Sequence, residues 1–255
     1  MNGGMPDRNL ILTGPRPERS KSRSESKRSS LITHRDASAP PSSESVTIRH
    51  PLLDRAAKRA FDVAVALLCL ILLSPLFALV ALAIWSVDGG SPFYRHARLG
   101  RGGRGFGCLK FRSMRTDGDE VLARHLALSP TARAEWARAR KLKRDPRVTP
   151  IGHLLRKSSL DELPQLLNVL RGDMSLVGPR PIVEAEVERY GEVAGAYFAV
   201  RPGLTGAWQI SGRSDTTYAE RVRLDRHYVE SRSFAGDLLI IVRTIPAVFL
   251  IKGSY

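Results

Sequence analysis

Cysteine is scarce in this sequence of 255 residues, and the two that occur, Cys69 and Cys108, lie in an apolar run and in a segment that reads as a strand. Their placement has no metal-like spacing, so neither a disulfide framework nor a zinc site is supported. Aromatic residues are few, at 7%, and none falls within the first fifty positions. That stretch, Met1 to His50, is rich in Ser, Pro and Arg and cannot bury enough apolar surface to offset its ordering entropy. A disordered basic tail is expected over residues 1–50; it could bind anionic lipid, be phosphorylated on its serines, or be merely solvated. Negative charge is also short, with 25 Asp+Glu against 40 Lys+Arg, a formal net charge of +15. Such a balance predicts anionic partners, whether nucleic acid, phosphorylated small molecules or a membrane face, without choosing among them. No internal repeat occurs at solenoid spacing. No signal peptide is expected, because the first long apolar segment starts only after residue 60 and no small-residue cleavage site follows it.

What the chain does have is an uncharged run from Val63 to Val87, long enough to cross a bilayer core if fully helical. Ser74-Pro75 interrupts its middle. Basic residues flank both ends, with Arg55, Lys58 and Arg59 before it and Arg95, Arg98, Arg101 and Arg104 after it. A spanning helix should be asymmetric in charge, whereas a hairpin that enters and leaves on one side should be basic at both ends. The pattern favours a re-entrant hairpin; a kinked spanning helix is the alternative. Asp62 should pair with Arg59 or a later basic residue.

Phe93 to Met114 reads as a β-hairpin around a glycine-rich turn, and that turn lacks the Gly-Lys-Ser/Thr ending of a P-loop. Lys110 and Arg112 would share one face of its second strand, either towards an anion or as a solvated edge. Asp119 to Leu142 predicts two helices broken at Ser129-Pro130, with Trp136 either an interfacial anchor or a core residue.

Ser158 to Pro181 concentrates acids, bases and backbone-restricting residues: SSLDELPQLLNVLRGDMSLVGPRP. Pro164 belongs in a first helical turn, so a helix carrying Leu166, Leu167 and Leu170 should begin near residues 160–162. Asp161 and Glu162 would then sit at its positive end, held ionised by free N–H groups and the dipole. The spacing of Ser159 and Glu162 also fits an ordinary capping box. Arg156 and Lys157 precede the acids, and Arg180 is fixed between two prolines.

Further on, Val200 to Gln209 combines Arg201, a Pro-Gly turn and a second glycine, a loop whose backbone N–H groups could approach an anion. Tyr218, Val222, Asp225 and Val229 fall on one helical stripe, and the buried acid needs a partner. That partner is either a core arginine or an active-site cation or metal. Leu238 to Ile251 is apolar but interrupted by Arg243 and Pro246, which fits an interfacial or core helix.

Taken together, these motifs resemble those of the bacterial sugar transferases, the monotopic phosphoglycosyl transferases. The resemblance rests on SLDELPQLLNVLRGDMSLVGPRP, on Leu109 to Met114, on Lys58-Arg59-Ala60-Phe61-Asp62, on the Arg201-Pro202-Gly203-Leu204-Thr205-Gly206 loop and on the Asp225 segment, and covers about Arg55 to Tyr255. It implies a single small mixed α/β domain, residues 93–255, docked on the membrane through a re-entrant helix at 51–92 and interfacial helices. It implies transfer of a hexose 1-phosphate from a UDP-sugar to undecaprenyl phosphate, releasing UMP, at the cytoplasmic face of the bacterial inner membrane. Asp161 would be the nucleophile, Glu162 would help bind Mg2+ or activate the acceptor, and Lys110, Arg112, Arg156, Arg180 and Arg201 would bind phosphate. Gln209, Arg213 and Asp225 would be secondary site residues, Ser74 and Pro75 the membrane break, and Asp161 with Glu162 the metal ligands. The loop and the closing Lys-Gly-Ser-Tyr look closest to exopolysaccharide-initiating enzymes, leaning to galactose over glucose, in a minimal form without a multi-span N-terminal domain. The sequence leaves oligomeric state open, a homo-oligomer included.

Two rivals stand. A non-enzymatic, membrane-anchored polybasic protein would explain the charge and apolar run but not the paired acids, and no nucleic-acid motif is present, so nucleic acid is not an expected partner. Direct glycosyl transfer would release nucleoside diphosphate instead.

Overall fold

The computed structural model describes residues 52–139, 141–211 and 216–249; the basic tail and Arg213 lie outside them. The fold is mixed but mostly helical, with two small sheets of two strands each.

Leu52–Leu72 (α1) and Ser74–Asp88 (α2) are separated by Leu73, and the segments Asp54–Leu72 and Ser74–Asp88 are bent by 62°. Pro75 falls in the first turn of α2, where its missing N–H costs no hydrogen bond. The Ser74 hydroxyl donates to the Ile71 carbonyl at 2.8 Å, satisfying one of the carbonyls freed by the break. No single described helix is long and apolar enough to cross a membrane, but this pair passes together by length and composition. Leu68, Ile71, Leu72, Leu79, Leu82 and Trp85 are all more than half exposed. So large an apolar surface marks an interaction face, and its composition suits lipid.

The inner side of α1 is tied to the domain by polar contacts. Arg59 donates to the carbonyls of Val169 and Leu170, and Asp62 accepts from Ser175 Oγ at 2.7 Å and pairs with Lys58. The expected partner of Asp62, Arg59 or a later basic residue, is replaced by Lys58 one position earlier, because Arg59 is drawn to carbonyls at the negative end of a helix.

Phe93–Leu99 (β1) and Gly105–Phe111 (β2) form the expected antiparallel hairpin, with Phe93 opposite Phe111 and Leu99 opposite Gly105. Gly102 and Gly103 take positive φ in the turn. Helices Gly118–Leu128 (α3) and Pro130–Ala139 (α4) break where Ser129-Pro130 predicts. Trp136 is half-buried under the Arg147 guanidinium, 5.1 Å from the ring centroid.

Pro150–Ser158 (α5) starts at Thr149, whose hydroxyl accepts from the Gly152 N–H. Gly152 packs so closely that an added Cβ would lie 1.9 Å from the Ser113 carbonyl oxygen. Gly152→Ala is expected to destabilise the fold by at least about 1 to 3 kcal/mol, read as a lowered thermal midpoint; an unchanged midpoint would mean that α5 is not seated there.

Gln165–Arg171 (α6) lies between α1 and β2, burying Leu166 and Val169 against Ala66, Cys108 and Met174. Ser175–Val177 (β3) and Gly203–Thr205 (β4) pair in parallel. Val187–Tyr190 (α7), Ala194–Phe198 (α8), Ala207–Ile210 (α9), Tyr218–Ser231 (α10) and Phe234–Phe249 (α11) complete the fold. Helix α11 packs Ile240 and Ile241 on the core and exposes Leu239, Val242 and Ile245.

Candidate active site

Asp161 and Glu162 occupy a 3₁₀ turn, Leu160–Glu162, between α5 and α6. This differs from the expected helix start: Pro164 sits at the N-cap of α6, so the helix begins after both acids. Ser159 takes a left-handed conformation with φ of 58°, and its side chain makes no cap. No capping box forms, because Glu162 turns to Lys110 instead. The Lys110 ammonium lies 2.6 Å from Glu162 Oε1 and 3.7 Å from Asp161 Oδ2.

Burial then outweighs the helix dipole. Asp161 is 8% exposed, and desolvation pushes its acid up to about 6 against the pull of Lys110; the Glu162 charge adds to the rise and Arg156 opposes it. Glu162 moves the other way. Burial alone would raise it, but the charge and hydrogen bond of Lys110, with Arg180 and Arg98 beyond, hold it below the ordinary range. Two adjacent carboxylates are thus differentiated, one poised to titrate and one held ionised.

Lys110 is placed by a residue that sequence reasoning missed. Asn168 on α6 is fully buried, accepts from the Leu109 N–H at 2.9 Å and donates to the Gly107 carbonyl at 2.8 Å, mimicking a neighbouring strand for β2. Asn168→Leu should cost about 2 to 4 kcal/mol in unfolding free energy by stranding those groups; a loss below about 0.5 kcal/mol would contradict this role.

Arg156 joins the acids from α5, with its Nε donating to Ser113 Oγ at 2.9 Å. The Arg180 guanidinium lies 5.4 Å from the Trp208 ring centroid, and its charge is felt by both Glu162 and Asp225. The loop after β3 is positioned by backbone contacts with β4. Gly178 N–H donates to the Thr205 carbonyl at 2.9 Å, and Gly203 N–H to the Pro179 carbonyl at 2.8 Å. The Arg201-to-Gly206 motif therefore spends its Gly203 amide on holding the Arg180 loop, not on an anion. A Cβ at Gly203 would come within 2.1 Å of the Gly178 nitrogen.

Two of the expected phosphate ligands are engaged by other groups of the chain. Arg112 pairs with Asp88 at the end of α2, and Arg201 donates to the Gly172 carbonyl at 2.8 Å, close to Arg59 and Arg101. Asp225 is 2% exposed on α10 and accepts from Tyr190 Oη at 2.7 Å. The tyrosine was not anticipated; burial pushes the Asp225 acid up to about 7, opposed by Tyr190, Arg221 and Arg180. Gln209 Oε1 and Trp208 Nε1 are buried without a hydrogen-bond partner among the described residues.

A bacterial sugar transferase family model matches residues 53–251. The chain belongs to the bacterial sugar transferase family. Among its relatives, exopolysaccharide production protein ExoY of Sinorhizobium fredii is 57% identical over 198 residues, 78% of this chain and 88% of that protein. Undecaprenyl-phosphate galactose phosphotransferase of Salmonella typhimurium is 48% identical over 198 residues, 78% of this chain but 41% of the relative. UDP-glucose:undecaprenyl-phosphate glucose-1-phosphate transferase of Caulobacter vibrioides is 42% identical over 209 residues, covering 72% of its length.

Were Mg2+ to bind here, Asp161 and Glu162 are the side chains that could contribute to its shell. This ion is commonly bound by one or two carboxylates together with substrate phosphates, and these two adjacent acids beside a cationic rim supply that donor set. Among the described residues no group of three or more His, Cys, Asp or Glu side chains could hold a metal, so substrate oxygens would have to complete the shell.

Proposed function

We propose that this sugar transferase moves a hexose 1-phosphate from a UDP-sugar to undecaprenyl phosphate, releasing UMP, as the first membrane step of exopolysaccharide synthesis. The carrying observation is Asp161, a buried carboxylate with Lys110 and Arg156 around it and an ionised Glu162 beside it. Relatives whose names specify undecaprenyl-phosphate galactose or glucose phosphotransfer support the acceptor and the hexose class.

A carboxylate can attack phosphorus only if the negative charge of the diphosphate is neutralised. Here Lys110, Arg156 and Arg180 do this. An Asp161 oxygen bonds to the sugar-bearing phosphorus while the bond to the UMP oxygen breaks, and the electron pair leaves with UMP. The phosphate oxygen of undecaprenyl phosphate then attacks the same phosphorus and frees Asp161, leaving a lipid diphosphosugar. Lys110 balances the charge of the dyad before attack and of Glu162 afterwards, and Arg180, stacked on Trp208, takes the part of meeting the leaving phosphate. Bound Mg2+ would neutralise phosphate charge beside these cations. The exposed apolar surface of α1 and α2 brings this site to the cytoplasmic face of the inner membrane, where lipid phosphate and soluble nucleotide sugar meet.

The test is to incubate the purified protein with labelled UDP-galactose or UDP-glucose and undecaprenyl phosphate, then identify both products. UMP together with a lipid diphosphosugar is expected, galactose being the favoured hexose. UDP release would instead assign direct glycosyl transfer, and turnover with neither sugar would set the hexose assignment aside.

A further inference from the structure

A cavity of about 340 Å³ opens beside the first turns of α1, and neither Asp161 nor Glu162 lines it. Six cations reach it from four parts of the chain: Arg55, Lys58 and Arg59 on α1, Arg101 in the hairpin turn, Arg201 before β4, and Arg232 between α10 and α11. Three carboxylates also line it, Asp54, Asp62 and Asp237, so the wall carries three positive charges in excess. Two of those acids are already engaged: Lys58 bridges Asp62 and Asp237, Ser175 donates to Asp62, and Tyr228 donates to Asp237.

Arg59 and Arg201 are held by backbone carbonyls and not by carboxylates. They donate to the carbonyls of Val169, Leu170 and Gly172 at the end of α6, which fixes their direction but leaves N–H groups over. Arg101 and Arg232 make no hydrogen bond or ion pair to the described residues. Burial pushes Arg201 and Arg232 below their ordinary pKa; neighbouring Arg59 and Arg101 add to the fall at Arg201, while at Arg232 Tyr228 and Asp237 oppose it and Arg55 and Arg101 add to it, so guanidinium charges repel one another across the cavity. An anion that accepts several N–H groups at once would relieve that repulsion, and phosphate oxygens suit guanidinium forks.

The surroundings indicate where such an anion comes from. Phe234 lines the cavity and is 45% exposed, and it begins α11, whose Leu239, Val242 and Ile245 are exposed beyond it. The other wall belongs to α1, whose exposed Leu67, Leu68, Ile71 and Leu72 lie farther along the same helix. A cationic cavity at the root of two helices with apolar outer surfaces matches an amphiphile, charged at one end and apolar at the other.

We infer that this cavity binds the phosphate headgroup of an anionic membrane phospholipid, apart from the catalytic dyad. The bound lipid joins α1, the hairpin turn and the α10–α11 connection, and so fixes the domain on the membrane surface. The inference is independent of the reaction proposed above, since it concerns binding without turnover.

The full-length protein in neutral detergent would be titrated with short-chain phosphatidylglycerol, short-chain phosphatidylcholine or inorganic phosphate, following the thermal midpoint. Phosphatidylglycerol should raise the midpoint saturably, and neither of the others should match it at equal concentration. In Arg101→Ala/Arg232→Ala the half-saturating concentration should rise about tenfold or more, and in the Arg101→Lys/Arg232→Lys variant by less. These two arginines are chosen because neither holds another described residue by a hydrogen bond. An equal response to phosphatidylcholine would assign the effect to apolar contact, and an equal response to inorganic phosphate would assign it to a soluble anion; either overturns the inference. Unchanged half-saturation in both double variants would overturn it as well.

Discussion

Asp161→Asn is expected to abolish sugar-phosphate transfer, by at least about 10⁴-fold, while making the folded protein more stable. The activity loss follows from chemistry, since an amide cannot form the phosphoester. The stability gain follows from burial. The Asp161 acid is raised from its ordinary 3.8 to about 6, so the native fold disfavours its ionised form. A carboxyl raised on folding costs nothing below its unfolded value, and its cost grows with pH and is complete above the folded value. At neutral pH, relief of that cost should be worth roughly 1 to 3 kcal/mol. The variant should therefore unfold at higher temperature than the parent near pH 7, with the gap narrowing towards pH 4. Equal midpoints at both pH values would show that Asp161 is not strained by desolvation. Full stability gain with retained turnover would remove it from the nucleophile role.

Lys110→Met should lower kcat by about 10²- to 10³-fold and change its pH dependence. The parent should lose activity as the pH falls through about 6, where the Asp161 carboxylate takes up a proton. Lys110 pulls both acids of the dyad down, so its removal should move that acidic limb to higher pH. A merely structural lysine would lower activity without moving the limb. A kcat within a few-fold of the parent and an unmoved limb would show that the ammonium does not serve the dyad.

The clustering of Asp161 and Glu162 with Arg156 is legible because the three are close in sequence, and Pro164 marks a helix start wherever it falls. The start itself was misplaced by a few residues. Ser159 adopts positive φ, a conformation that serine seldom takes, and nothing in the local pattern announces it. The capping-box spacing was equally misleading, because a lysine 52 positions away competes for Glu162 and wins.

Long-range partners account for most of what the sequence concealed. Asn168 reads as a helix residue among leucines, yet its amide continues the hairpin across 61 positions. The need of Asp225 for a partner was evident from its apolar stripe, but Tyr190 lies on a short helix with no periodicity to orient it. The motifs group Arg112 and Arg201 with the dyad, whereas Asp88 pairs with the first and the second, donating to the Gly172 carbonyl, lines the cavity beside α1. The Ser74-Pro75 break and the hairpin around Gly100 to Gly105 were read correctly, since proline and glycine act through their own backbones.

The covalent intermediate is the centre of this account, and intact-protein mass spectrometry tests it most directly. The protein would be mixed with Mg2+ and the UDP-sugar it turns over, without undecaprenyl phosphate, and quenched. A mass increase of one hexose phosphate, mapped to the peptide carrying Asp161 and accompanied by one equivalent of UMP, is the predicted result. Adding undecaprenyl phosphate should then discharge it. An unmodified protein that nonetheless turns over when both substrates are present, or an adduct that persists in Asp161→Asn, would contradict the mechanism.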